Sequence, residues 1–293
     1  MTPSWRDLLA EVSSGLGGSP SPHEESRLIL QHAARMPWPA LAARLDEPAA
    51  PKVAARARHL AAARRGGRPL QHVLGRWGFR RIDVAVDGRA LVPRPETEVV
   101  VEVALELVEA LGISGRPALA VDLGTGSGVI ALSLATERDD LDAVGVDRSA
   151  DALALAAENL TLVSAAHPGL AARVSFLRGD FYGALRRGMR GAVDLVVANP
   201  PYVAEREWAG LEPVVRDHDP YEALVAGPSG LEAIEAVVTG APGVLRRPGA
   251  LAVEIAPHQA EAAVRLAERA GLVDVAVRPD LAGRPRVLVA SHL

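Results

Sequence analysis

From Thr97 onward, short apolar runs alternate with helical stretches, and that alternation restricts the chain to very few architectures. Runs with strand character cover residues 118–123, 142–147, 174–177, 194–198, 250–255, 273–277 and 287–290. Helical spacing covers about 98–111, 129–136, 150–162, 230–245 and 258–270. Short apolar strands separated by helices are buried on both faces. They predict an α/β domain with a doubly wound, seven-stranded, mainly parallel Rossmann-like sheet. Only residues 278–286 join the last two strands, too few for a crossover helix, so those two are expected to pair antiparallel.

Ahead of the alternation, residues 1–70 read as a small helical bundle. Residues 5–12 form one short amphipathic helix, and Gly15, Gly17, Gly18 and Pro20 then break the chain. Ser21-Pro22-His23-Glu24-Glu25 is a helix start, with Pro and acids in the first turn, and Pro37 and Pro39 stop that helix. Residues 49–65 are an Ala/Arg-rich helix ended by Gly66-Gly67. In residues 71–92 the period becomes two: Ile82, Val84 and Val86 alternate with Arg81, Asp83 and Ala85. Asp87-Gly88 supplies a turn, so a β-hairpin is expected to link the bundle to a third region, 93–293.

Composition removes several classes of function. Half of the chain is apolar, 49%, far too much for a disordered protein. There is no cysteine, which excludes a disulfide scaffold and cysteine-ligated metal, and the scattered histidines have no metal-ligand spacing. With 32 Lys+Arg against 36 Asp+Glu the net charge is −4, a poor basis for gripping phosphate backbones. Lys52 is the only lysine, so the basic side is otherwise arginine. Arg6, Asp7 and Glu11 interrupt the first residues, unlike a signal peptide. No run approaches the ~20 apolar residues of a membrane span. A cytoplasmic monomer without metal is expected.

The first strand of the sheet runs into Asp122-Leu123-Gly124-Thr125-Gly126-Ser127-Gly128 and opens a helix. Glycines let a ligand approach the backbone, and a helix start offers unpaired N–H groups. The G-x-G-x-G spacing lacks the further-spaced third glycine of the dinucleotide fingerprint, which counts against a dehydrogenase. Asp122 stands before the loop in the arrangement of S-adenosylmethionine enzymes, whose cofactor needs no phosphate cradle. Asp147 ends the next strand, where an acid accepts from both ribose hydroxyls. Asp180 and Phe181 follow the third strand; the acid suits an adenine amine and the ring its face.

The fourth strand runs straight into Asn199-Pro200-Pro201-Tyr202. Two prolines hold the chain extended, remove two donors and leave carbonyls free to accept. The Asn199 side-chain carbonyl and the Pro200 carbonyl are each expected to accept one N–H of a planar NH₂ group, with Tyr202 offering a flat face. Such a nitrogen is a poor nucleophile, so the cofactor carries the hard chemistry and the protein supplies in-line placement. The arrangement points to methyl transfer onto a planar nitrogen, Asn199 to Tyr202 being the catalytic segment.

With these motifs in order, the sequence resembles the release-factor glutamine methyltransferases, the PrmC/HemK family. The likeness extends from Pro69-Leu70-Gln71 onward and includes Leu91-Val92-Pro93-Arg94-Pro95-Glu96-Thr97-Glu98, Asp219-Pro220, Ala223-Leu224, Glu254 with Gln259, and Asp280 with Arg286-Val287. The resemblance implies N5-methylation of the glutamine in the Gly-Gly-Gln motif of peptide chain release factors, with S-adenosylhomocysteine as product. It also implies a substrate-docking role for the N-terminal bundle. Carried over by position, Gly124, Thr125, Gly126, Ser127, Gly128, Asp147, Phe181 and Asn199 bind the cofactor, and Asn199 to Tyr202 hold the glutamine. For Arg94 and Thr97 a place in the pocket lid and a helix-cap role are both open.

Two other targets remain compatible with the tetrapeptide. A paralogue could methylate a different protein glutamine, or the acceptor could be an adenine or cytosine amino group in nucleic acid. The second wants a basic surface or a target-recognition domain, and the −4 charge argues against it.

Overall fold

The computed structural model describes residues 2–293, and these divide into two compact units. The first comprises residues 2–76 together with Glu212–His218; the second comprises Trp77–Leu211 and Asp219–Leu293. Among the described residues no helix is long and apolar enough to cross a membrane.

The first unit is helical: α1 (Trp5–Gly15), α2 (Pro22–Ala34), α3 (Trp38–Ala42), α4 (Pro51–Arg65) and α5 (Leu70–Leu74). Ser4 and Asp7 form a reciprocal capping box at the start of α1. At α2 the Ser21 side chain makes no cap bond, and Pro22 at the first helical position does the work of starting the helix. Pro37 and Pro39 end one helix but also begin the next, because proline is favoured in a first turn: Pro39 lies in the first turn of α3. On α4, Ala54, Ala57 and Ala61 share a buried face, so its backbone comes close to α1 and α2.

A two-stranded hairpin follows, β1 (Arg76–Phe79) and β2 (Ile82–Ala85), and all of it from Trp77 on belongs to the second unit. The expected turn at Asp87-Gly88 is corrected: the strands are joined by Arg80-Arg81, with Arg80 at φ 49°. Arg80 is held in that left-handed conformation by its own bonds, its guanidinium to Glu137 at 2.6 and 2.8 Å and its N–H to Glu98 at 3.1 Å. Asp87 instead accepts from the Arg89 N–H at 3.0 Å and braces the turn into the extended 91–94 segment.

Then follow α6 (Pro95–Ala110), β3 (Ala118–Leu123), α7 (Val129–Glu137), β4 (Leu141–Asp147), α8 (Ala150–Ser164), α9 (Leu170–Arg173), β5 (Val174–Arg178) and β6 (Val193–Ala198). After the short β7 (Val203–Ala204) come α10 (Pro213–Arg216), α11 (Tyr221–Leu224), β8 (Val225–Gly227) and α12 (Glu232–Gly240). The chain closes with β9 (Leu245–Glu254), α13 (Ala260–Arg269), β10 (Val273–Pro279) and β11 (Pro285–His292). The helix expected over 230–245 stops at Gly240 because Pro242 and Gly243 follow it, and β9 already begins at Leu245.

The seven-stranded sheet runs β5-β4-β3-β6-β9-β11-β10. Strands β3, β4, β5, β6 and β9 are parallel, whereas β11 is antiparallel to β9 and to β10. Period-two alternation assigns each residue to one face. Ala118 and Ala120 of β3, with Ala250 and Ala252 of β9, join the core beneath α6 and α7, while Val121, Leu123, Leu251 and Val253 join the core on the other face. Asp122 and Glu254 therefore point to the α6/α7 side. The carboxyl ends of β3, β4, β5 and β6 lie along one edge, and chain order reverses between β3 and β6. A crevice at that point is where open α/β sheets take ligands.

Candidate active site

The sharp turn out of β3 depends on glycine. Gly124, Gly126 and Gly128 all have positive φ, at 73°, 56° and 84°. Asp122 lies under this loop, 1% exposed, and accepts from the Thr125 hydroxyl at 2.5 Å and the Ala131 N–H at 3.2 Å. Its second oxygen, Oδ1, is buried without a hydrogen bond. Burial pushes this carboxyl up to about 7 despite the Thr125 bond. The buried Asn159 of α8 stitches the loop to the hairpin, donating to the Ser127 carbonyl at 3.0 Å and accepting from the Ala85 N–H at 2.7 Å.

Above the loop opens a cavity of about 430 Å³. Gly124, Thr125, Gly126 and Ser127 form part of its wall, joined by Asp147, Asp180 and Phe181 from the ends of β4 and β5. Asp122 and Gly128 lie behind that wall. Asp147 uses one oxygen on the Gly126 N–H and the other on the Ser149 N–H, both at 2.9 Å, which aims the carboxylate while each oxygen keeps a lone pair. Phe181 adopts φ 41°, a strained conformation for a bulky side chain, of the kind that collects at ligand sites.

From the tetrapeptide, Asn199 and Pro201 line the cavity; Pro200 and Tyr202 do not. Tyr202 is anchored through its backbone, its N–H to the Leu224 carbonyl at 3.2 Å and its carbonyl to Gln259 Nε2 at 2.9 Å. Gln259 also donates to the Gly230 carbonyl, so one buried amide pins the tetrapeptide to the segment before α12. Burial pushes the Tyr202 phenol up to about 12, and it stays protonated at neutral pH.

Three features of the cavity are not legible as chemistry in the sequence. Thr97, three residues into α6, does not cap its helix. Its hydroxyl accepts from Asn199 Nδ2 at 2.9 Å and donates to Glu254 Oε2 at 2.8 Å. Arg94 reaches from the same segment to Asp219 at 2.7 Å, closing the cavity rim over residues widely separated in sequence. Glu232, at the start of α12, also lines the cavity; its Oε1 accepts from the Ser229 N–H at 2.8 Å and its Oε2 is buried without a partner.

Comparison with known proteins decides the family. Residues 7–75 match the PrmC N-terminal domain and residues 105–211 the methyltransferase small domain. The release factor glutamine methyltransferase of Moorella thermoacetica is 40% identical over 288 residues, 97% of each chain. That of Nitratidesulfovibrio vulgaris is 43% identical over 235 residues, 80% of this chain and 76% of the relative. The chain belongs to the release factor glutamine methyltransferase family. It is a methyltransferase, and its likeness to that relative from Moorella thermoacetica runs over nearly its whole length. Among solved structures, the catalytic domain of hMettl16 in complex with the MAT2A 3'UTR hairpin 6 aligns at a TM-score of 0.56. It covers 79% of this chain and 81% of that one at 14% identity, a likeness of fold alone.

Proposed function

We propose that the chain transfers a methyl group from S-adenosylmethionine to the side-chain nitrogen of the glutamine in the Gly-Gly-Gln motif of peptide chain release factors. The reading is supported above all by one observation: Asn199 lines the same cavity as the glycine loop, Asp147 and Asp180. The residues present fit a cationic, adenosine-bearing cofactor. The loop wall is bare of side chains at Gly124 and Gly126, and the unpartnered Glu232 Oε2 in the wall suits a cation. Asp147 would hold the ribose, Asp180 the adenine amine and Phe181 its face.

S-adenosylmethionine, when bound, supplies a methyl group already activated on a sulfonium. Asn199 Oδ1 and the Pro200 carbonyl would accept the two amide hydrogens of the glutamine and aim its nitrogen. In-line placement of this kind is worth several kcal/mol of barrier, up to ~7–11 in the best-oriented cases. The proton shed by the nitrogen needs no strong base. We assign Pro201 and Tyr202 to holding the glutamine, and Asp122 and Gly128 to supporting the cofactor loop from behind. Residues 1–70 would dock the release factor, with 71–92 as the linker and 93–293 as the catalytic region, whereas the two compact units divide between Arg76 and Trp77. The chain would act as a cytoplasmic monomer.

The test is methyl transfer from labelled S-adenosylmethionine to a purified release factor and to its Gln→Ala loop variant. Label should appear on the first and be absent from the second. Equal labelling of both would overturn the assignment.

A further inference from the structure

The two ends of an asparagine amide differ only in what they can donate or accept, so the partners decide which way it faces. Thr97 is 3% exposed and Glu254 1%, which leaves water little access to the pair. A hydroxyl carries one proton and a carboxylate can only accept. Ionised Glu254 takes the Thr97 proton at 2.8 Å, and Thr97 Oγ1 is left to accept from Asn199 Nδ2 at 2.9 Å. The Asn199 Oδ1 is thereby turned from Thr97, on a residue that lines the cavity.

We propose that Glu254 and Thr97 are positioning residues that set the polarity of the Asn199 amide, so that its oxygen rather than its nitrogen meets the NH₂ of the substrate. The inference rests on the reading of Asn199 as the amide acceptor given above. Were Glu254 protonated, it could donate to Thr97, whose own proton would then go to Asn199 and draw Oδ1 towards it. Asn199 would present Nδ2 to another NH₂ group, a donor facing a donor. The charged and titratable groups around Glu254 are Arg286 on β11, Arg94 and Glu96 at the start of α6, and Tyr202. Burial pushes the Glu254 carboxyl up to about 7, against the Thr97 bond and Arg286, which pull it down. The relay therefore changes state near neutrality.

The experiment measures kcat and KM of the full-length protein on a release factor, with S-adenosylmethionine saturating, between about pH 6 and pH 9. Affinity for S-adenosylhomocysteine is measured alongside by calorimetry. Thr97→Val should lower kcat on the order of 100-fold, as misplacement of a reacting group does, and leave S-adenosylhomocysteine affinity unchanged. Thr97→Ser should restore most of the rate, since it returns the hydroxyl. In the wild-type protein kcat should rise through pH ~7 and level off, and Glu254→Gln should abolish that limb. Wild-type kcat in Thr97→Val, or an unaltered limb in Glu254→Gln, would overturn the proposal. If Thr97→Val fails to fold, the Glu254→Gln profile decides alone. A failure of the functional reading is distinguishable, because the wild-type protein would then not methylate the release-factor glutamine at all.

Discussion

Asp122 is a carboxylate buried with one oxygen unpartnered, and that has a consequence for stability. Its folded-state value of about 7 lies above the ~3.9 of an exposed aspartate. Between those values the folded chain keeps a proton that the unfolded chain has lost, so this group's contribution falls as pH rises through the window and is flat above it. Each pKa unit is about 1.4 kcal/mol. Asp122→Asn, which does not titrate, should therefore gain on wild type by a few kcal/mol between about pH 4.5 and pH 7.5. Denaturant midpoints at the two pH values measure this; a pH-independent offset would refute it. At this scale the strand-end residues were legible. Asp147 and Asn199 each close an apolar run, Asp180 stands two residues past the end of β5, and a parallel sheet brings such ends to one edge. The Thr97–Glu254 pair was not, since its partners are 157 residues apart and no spacing rule joins them. A buried hydroxyl in the first turn of α6 was the only local sign, and it reads equally well as a cap.

At the scale of elements, periodicity located the strands and the long helices, but connections were harder to read. Asp87-Gly88 has the chemistry of a hairpin turn, yet Arg80 takes that role because Glu98 and Glu137 hold it there. Propensity yields to tertiary bonds. The arginine-rich exterior resolves in part the same way: Arg58 grips Glu11 and Arg64 grips Glu25 with two bonds each, using the fork a lysine lacks. The glycine loop gives the sharpest prediction here. A Cβ at Gly128 would stand 3.0 Å from the Phe176 ring and 3.2 Å from Ala156, on a backbone at φ 84°. Gly128→Ala should cost about 1–3 kcal/mol of stability and weaken S-adenosylhomocysteine binding, because the displaced loop lines the cavity. Thermal shift with and without that ligand tests both effects; an unchanged melting temperature and an unchanged ligand shift would contradict the steric account.

For the whole molecule, each unit has its own core, and the two are unlike. The helical unit buries Trp5, Leu8, Ile29, Leu30 and Leu41 but relies on alanines along α4, whereas the sheet unit has an extensive core on both faces. The smaller core should give way first. Trp5 and Trp38 belong to one unit, Trp77 and Trp208 to the other, so replacing the latter pair by phenylalanine leaves fluorescence reporting on the helices alone. That signal should then change at lower urea than the ellipticity; coincident transitions would mean that the units unfold together.

The order of the last strands carries a further consequence, for biosynthesis. β11 lies between β9 and β10 in space but follows both in the chain. While the polypeptide is being made, the outer rim of β9 stays unpaired through the whole of α13 and β10. β10 meanwhile waits for the neighbour that will tie it to the sheet. An open rim of apolar strand invites pairing with other nascent chains, so this is the interval in which a chaperone has most to protect. Glu254 sits on that rim, its register partner being Val287. Its pocket is therefore among the last parts of the molecule to become whole.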